Sequence, residues 1–299
     1  MKASWIAVDW GTTNFRAFLM SDTGECLDKI QQAKGLLSVA QDQFPQVFDE
    51  LISRWNGIYG HLPVIMAGMV GSQQGWREVP YVHAPASAQD LANHIHSVDL
   101  LSGNKAKIVS GVRCVNAFGN PEVMRGEEIQ LIGLGEIIKC DFNAILFGTH
   151  SKNAYWCDGK IGNYSTVMTG ELYSLLVNHS ILGKSLPEQE FNKDAFIKGV
   201  EIGNKHPLNH VLFSARTFKL FEDVQDSNIH AYISVLLLGH EFILSNRLNK
   251  LYLVGSQKLA SNYALALEHL NIEFDVIDGD ECFLKGMTKI YSKGEINEY

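Results

Sequence analysis

The sequence predicts an α/β protein in which one mixed-sheet architecture is used twice. Three observations carry that reading. Roughly the first thirty residues read as strand, tight turn, strand, turn, strand, after which helical and strand patterns alternate. The same order begins again near residue 144. With 299 residues, 46% of them hydrophobic and 19% charged, the chain can bury a large core, and its length suits two domains.

The opening meander comprises strands at residues 4–10, 14–20 and 25–32, joined by the turns Gly-Thr-Thr and Ser-Asp-Thr-Gly. Residues 44–59 follow as a helix, because Phe44, Val47, Phe48, Leu51, Ile52 and Trp55 recur at helical spacing. A short buried strand over 63–67, a helix over 90–96 and a strand over 107–110 complete the first half. The second half has strands at 144–148, 153–157 and 160–168, then helices, a strand at 251–254, a helix at 259–270, a strand at 273–277 and a last helix from 281. Gly and Pro are dispersed and no low-complexity linker appears, so the junction is read as a helix or short loop over 121–126. That places an N-terminal domain at 1–125 and a C-terminal domain at 126–299.

Composition excludes several classes of function. A net charge of −8 and a pI near 5.8 disfavour counterion-release binding to nucleic acid. The five cysteines are odd in number and form no CxxC pair, so neither a disulfide framework nor a zinc site is expected. The apolar run over 231–239 is too short to span a bilayer, and the N-terminus lacks the pattern of a secretion signal. A cytoplasmic protein without membrane partners is the expectation. Oligomeric state stays open, a homodimer included.

The segment Asp9-Trp-Gly11-Thr12-Thr13-Asn14-Phe-Arg16 ends a buried strand on a carboxylate and follows it with glycine and two hydroxyls. Such a turn can hold magnesium through Asp9 while backbone N–H groups and hydroxyls face phosphate oxygens, although a plain hairpin turn would have the same residues. Gly148-Thr149-His-Ser-Lys152 is a second Gly-Thr turn between strands, where an ordinary hairpin with a solvated lysine is the competing explanation. Gly255-Ser256 lies between a strand and a helix, where glycine permits close approach of a nucleotide and the helix N-terminus adds a favourable dipole.

In this order the three segments resemble the two phosphate motifs and the adenosine motif of the superfamily that contains sugar kinases, actin and the heat-shock chaperone ATPases. The resemblance implies two ribonuclease-H-like, actin-like ATPase domains with a nucleotide cleft between them. Further segments narrow it: Met66-Ala-Gly68-Met-Val-Gly71-Ser72, Gly75-Trp76, Pro80-Tyr81, Met124-Arg125-Gly-Glu127-Glu128-Ile-Gln130, Thr166-Val-Met-Thr-Gly-Glu171 and Asn178-His-Ser180. These are similar to the 2-dehydro-3-deoxygalactonokinase family over residues 5–286. One departure is that Asn153-Ala154 stands between Lys152 and Tyr155-Trp156, where the family usually has an aromatic directly after the lysine.

What the resemblance implies is transfer of the γ-phosphate of ATP, with Mg2+, to the 6-hydroxyl of 2-dehydro-3-deoxy-D-galactonate in galactonate catabolism. It assigns Asp9 to the metal and Gly11, Thr12, Thr13, Gly148, Thr149, Lys152, Gly255 and Ser256 to the nucleotide. Glu127 and Glu128 are the candidates for the carboxylate that accepts the hydroxyl's proton, Glu127 being the better match by order. A pair of acidic residues at a helix start can also serve only the helix dipole. A keto acid brings a carboxylate, for which Arg16 or Arg125 offers a planar match. Asn14, Gly68, Gly71, Ser72, Gln73 and Trp76 complete the expected substrate side, with Trp76 read as either a sugar-stacking or a packing residue. A kinase of another sugar acid, or a non-catalytic binding module, would share the fold. Asp9, Glu127 and both Gly-Thr turns together favour an enzyme.

Overall fold

The computed structural model describes residues 1–243 and 250–294. They divide into two compact units, one made of residues 1–141, 156–163 and the segment from 279 on, the other of 142–155 and 164–278. The boundary expected at 125/126 therefore falls inside the first unit. The chain leaves that unit after residue 141, returns to it over 156–163 and returns again with its last helix.

The first unit opens on β1 (Ala3–Trp10), β2 (Phe15–Ser21) and β3 (Cys26–Gln32). Strand β1 is nearly continuously apolar and buried, as a central strand must be. In β3 only Ile30 is buried, and the charged residues around it suit an edge. Helix α1 (Phe44–Tyr59) buries Phe44, Phe48, Ile52 and Trp55 along one stripe, with Pro45 at its start and Gly60 at φ 73° ending it. Then come β4 (Val64–Ala67), β5 (Val82–His83), α2 (Ala88–Asn93), β6 (Ile95–Asp99), β7 (Lys105–Val109), β8 (Val112–Val115), β9 (Pro121–Met124) and α3 (Glu127–Ile138).

Two of these elements correct the sequence reading. Residues 90–96 are not one helix: Ser87 caps α2, exchanging hydrogen bonds with Asp90, so the helix starts earlier and ends at Asn93. The residues after it form β6, antiparallel to β7. The stretch 121–126 is not a linker either, because β9 pairs antiparallel with β8 in a small sheet ordered β5-β8-β9.

The main sheet of this unit runs β3-β2-β1-β4-β7-β6, with β1–β3 antiparallel and β4 and β7 parallel to β1. The second sheet runs β12-β11-β10-β13-β14, formed by β10 (Phe142–Leu146), β11 (Ser151–Cys157), β12 (Lys160–Val167), β13 (Leu251–Gly255) and β14 (Phe274–Asp278). Strands β13 and β14 run parallel to β10. Both sheets thus place the first strand of a meander at the centre and add parallel strands on its far side, the expected repeated order.

The second unit inserts α4 (Thr169–His179), α5 (Lys193–Lys205), α6 (Leu208–Val211), α7 (Ser214–Leu220) and α8 (Ile229–Glu241) before β13, and α9 (Gln257–His269) between β13 and β14. The apolar run at 231–239 is the buried middle of α8, which serves two cores: Val235 and Leu238, with Phe242 just after the helix, pack with the sheet, and Tyr232, Ile233 and Leu236 with the neighbouring helices. The final helix, α10 (Gly279–Lys293), crosses α3 in the first unit. A Cβ at Gly133 would lie 1.7 Å from the Cys282 carbonyl oxygen, and one at Gly286 would lie 2.0 Å from that of Ile129. Glycine on both helices is what lets these backbones touch.

Candidate active site

The predicted site residues fall into two groups, one in each unit. In the first unit, β1 delivers Asp9 at its end and the β1–β2 register sets Arg16 directly opposite. Both the Arg16 Nη2 and, at 3.0 Å, Nε donate to Asp9 Oδ2, and Nη1 pairs with Asp280 at the start of α10. Lys29 reaches the same Asp280 carboxylate at 2.5 Å. Arg16 therefore bridges two carboxylates, the ion-paired role.

The turn after Asp9 exposes Thr12, Thr13 and Asn14. Its backbone is closed by the Gly11 N–H donating to Asn14 O at 2.9 Å and held from behind by Gly35 and Leu36, whose N–H groups donate to Thr13 O and Gly11 O, each at 3.0 Å. The hydroxyls are thus presented to solvent from a fixed frame.

Beside Asp9 runs the loop that follows β4. Gly68 has φ 94°, and a Cβ there would sit 2.9 Å from Trp10 O and 3.0 Å from Asp9 Oδ1. Only glycine fits that conformation and that gap. Gly126, at φ 114°, approaches from the other side, its added Cβ falling 3.4 Å from Gly68 Cα. The close passage of these two glycines brings the start of α3, with Glu127 and Glu128, next to Asp9 and the loop that follows β4. Gly71 is buried, Ser72 half-buried and Gln73 exposed on that loop. Trp76 packs its ring on Trp10, Phe44 and Phe48 with centroids 6.1–6.3 Å apart.

Arg125 is the unusual side chain of this group. It is only 8% exposed, its Nη2 donates to Val79 O at 2.7 Å, and its guanidinium lies 4.3 Å from the Tyr81 ring centre. Among the described residues its Nε and Nη1 have no hydrogen-bond partner, nor does the buried hydroxyl of Ser72. Nη1 points at Gly71, where an added Cβ would lie 2.8 Å away. A buried donor left unanswered costs about 1–3 kcal/mol, more when charged, so three such atoms together call for an acceptor.

The two glutamates have different environments. Glu127, half-buried, accepts the Arg125 backbone N–H at 3.1 Å. Glu128 is fully buried and accepts the Gly126 N–H at 2.7 Å, while its Oε1 lacks a partner among the described residues. Burial first, and then the charge of Glu127, push the Glu128 carboxyl up to about 8, so it is held largely neutral at pH 7.

In the second unit, Gly148 and Thr149 form an exposed turn between β10 and β11. The start of α4 braces it: the Glu171 N–H donates to Thr149 O at 3.1 Å, His150 pairs with Glu171, and a Cβ on Gly170 would meet Gly148 O at 2.6 Å. Lys152 is not the solvated lysine of a plain hairpin. It is 5% exposed and donates to Thr166 Oγ1 at 2.9 Å. Gly255, at φ 153°, lies against the Phe147 ring, and exposed Ser256 is the N-cap of α9 without bonding its own helix through the side chain. The Ser256 carbonyl accepts the Leu259 and Ala260 N–H groups at 3.1 and 3.0 Å, and the N–H groups that open such a helix are where an anion is favoured.

These placements meet an independent finding: the sequence model of the 2-keto-3-deoxy-galactonokinase family matches residues 9–290, and so spans both groups. This chain belongs to that family. It is 34% identical to the 2-dehydro-3-deoxygalactonokinase of Escherichia coli (strain K12), over 97% of this chain and 98% of that one. Among solved structures, a protein from Sinorhizobium meliloti described as a candidate 2-dehydro-3-deoxygalactonokinase superposes with a TM-score of 0.87 at 30% identity, covering 96% of this chain and 95% of that one. Component A of the (R)-2-hydroxyglutaryl-CoA dehydratase of Acidaminococcus fermentans matches at a TM-score of 0.53 and 12% identity over 100% of both chains, a likeness of fold alone. The fold is the actin-like ATPase fold, and as a 2-keto-3-deoxy-galactonokinase family member the chain is a sugar-acid kinase.

Several residues that shape these sites escaped the sequence reading. Asp280 was visible only as an acidic residue at a helix start, and nothing local links it to Arg16, 264 positions away. Gly35 and Gly170 resemble any loop or helix-start glycine until the backbone behind them is known. Glu241 was legible only as the polar end of an apolar run.

Proposed function

We propose that this chain transfers the γ-phosphate of ATP to the 6-hydroxyl of 2-dehydro-3-deoxy-D-galactonate, giving 2-dehydro-3-deoxy-6-phospho-D-galactonate and ADP. The observation that carries the substrate assignment is Arg125: a buried guanidinium with two unanswered N–H groups, one residue from Gly126 and two from Glu127, in a chain of this family. Its open donors and the Ser72 hydroxyl suit the substrate carboxylate. Arg16, already engaged by Asp9 and Asp280, orients the Asp9 carboxylate instead.

Glu127 accepts the proton of the 6-hydroxyl as the new O–P bond forms and the bond to the β-phosphate breaks, releasing ADP. Glu128, neutral and enclosed, supports the turn of chain that carries Glu127. On the nucleotide side, Gly11, Thr12 and Thr13 in the first unit offer backbone N–H groups and hydroxyls suited to phosphate; in the second unit Gly148 and Thr149 offer the same, and Gly255 and Ser256 with the α9 N-terminus suit the remainder of the nucleotide. Lys152 contributes its charge from within the second unit.

Asp9 fits a magnesium ion: Arg16 engages Oδ2, while Oδ1 lies on the Gly68 side, where the missing side chain leaves space. One carboxylate together with phosphate oxygens is the set that magnesium favours, and the ion would neutralise phosphate charge. Five free thiols suit the reducing cytoplasm, and among the described residues no helix is long and apolar enough to cross a membrane.

The reading is tested by phosphorus NMR of the product formed from ATP, magnesium and the keto-deoxy acid. A phosphomonoester resonance split by the two methylene protons at C6 is expected. A product phosphorylated at a secondary carbon, or no phosphoester at all, overturns it.

A further inference from the structure

We propose that Glu241, the last residue of α8, is a positioning residue that locks together the segments offered to ATP in the second unit. Its carboxylate is completely buried, and four side chains from three elements donate to it. Ser151 Oγ at 2.5 Å and Asn153 Nδ2 at 3.2 Å bind Oε1 from β11, whereas Thr169 Oγ1 at 2.5 Å from α4 and the Tyr263 hydroxyl at 3.0 Å from α9 bind Oε2. A carboxylate offers about four acceptor sites, and these four donors occupy them; the three hydroxyls can turn to accept from an amide, but Asn153 Nδ2 can only donate and two of the four contacts would have to reverse.

Three of those four contacts lead to a nucleotide candidate. Ser151 directly follows the Gly148-Thr149-His150 turn, and Thr169 begins the helix whose next two residues touch that turn from behind. Tyr263 lies on α9 and stacks on Phe147 at 4.9 Å, the ring against which Gly255 rests. Turn, α4 start and α9 therefore share one fixed point. A carboxylate needed only for folding would sit anywhere in the core; this one joins the elements that flank both Gly148-Thr149 and Gly255-Ser256.

The inference rests on the reading of the Gly148-Thr149 turn as a phosphate site, so the test includes that turn. Initial rates are measured for the whole enzyme against ATP and against the sugar acid separately, for Glu241→Gln, Thr169→Val, Thr149→Ala and the core control Val235→Ala in α8. Glu241→Gln keeps the size but presents an amide N–H to Thr169 and Tyr263 or to Ser151 and Asn153; Thr169→Val removes one donor and serves if Glu241→Gln does not fold. The expected result is a KM for ATP raised about tenfold or more by Glu241→Gln and severalfold by Thr169→Val, an unchanged KM for the sugar acid, and an unchanged KM for ATP in Val235→Ala. If Thr149→Ala raises the KM for ATP and the Glu241 and Thr169 variants do not, the positioning role is wrong and the phosphate turn stands. If Thr149→Ala leaves it unchanged, the reading of the turn fails and this inference with it. A shift of both KM values, or one matched by Val235→Ala, makes Glu241 an ordinary stability residue.

Discussion

Glu127 and Glu128 stand side by side in sequence, yet the fold gives them opposite environments. Helix α3 turns Glu128 into the interior, where its carboxyl is pushed up to about 8, and leaves Glu127 half-buried beside Gly126. Glu127→Gln keeps shape and hydrogen bonding but cannot take a proton, so kcat should fall about 10²–10⁴-fold with both KM values largely kept. Glu128→Gln should be milder. Its clearer effect is on stability: a carboxyl whose folded pKa exceeds its unfolded value of 4.5 binds more protons in the native state, so stability falls as pH rises from about 4.5 to about 8. Thermal unfolding of the parent should therefore lose more between those limits than that of Glu128→Gln; parallel curves would remove Glu128 from the account. For Arg125, replacement by Lys should raise the KM for the sugar acid about 10- to 100-fold and spare that for ATP, since a charge-assisted pair is worth about 1.5–3 kcal/mol. Loss confined to ATP would reassign it to phosphate. Residue types and order were legible here, but the choice between Arg16 and Arg125 was not. It depends on which guanidinium a distant carboxylate has already taken, and Asp280 belongs to the last helix.

At the scale of elements, the regular periodic segments were read well. Strands β1 and β2 and helix α1 follow the sequence pattern because the strands are buried almost throughout and the helix buries one clear face. Failures came where short elements meet Gly or Pro. Strand β9 begins at Pro121, a position where a strand tolerates a missing N–H, and ends two residues before Gly126, so its local signal resembles a linker. Residues 90–96 mislead because Asp90, which reads as a helix start, is the fourth residue of a capping box. The α3–α10 crossing was invisible, since glycine in a helix gives no sign of what packs on it. Gly133→Ala should test that crossing. With the Cys282 carbonyl oxygen 1.7 Å from the new Cβ, the helices must separate, and unfolding free energy should drop by about 1–3 kcal/mol in denaturant titration. An unchanged midpoint would mean that α10 does not dock there.

For the whole molecule, the repetition of one sheet order in two units was readable from the recurring meander, whereas the unit boundary was not. Contacts divide the chain after residue 141 and return its end to the first unit, and no composition shift marks either point. The family match over residues 9–290 makes the two halves one enzyme of a single kinase family, and we propose Arg125 as the group that binds its acid substrate and Glu127 as its base. The most direct measurement is ADP release with magnesium ATP across a panel containing 2-dehydro-3-deoxygalactonate, related keto-deoxy acids and neutral hexoses. The account predicts that 2-dehydro-3-deoxygalactonate gives the highest kcat/KM and exceeds the neutral hexoses by about 10²-fold or more, because a site built around an unanswered guanidinium rejects sugars without a carboxylate. A neutral hexose turned over as well as the acid, or no ADP from any acid in the panel, would contradict it.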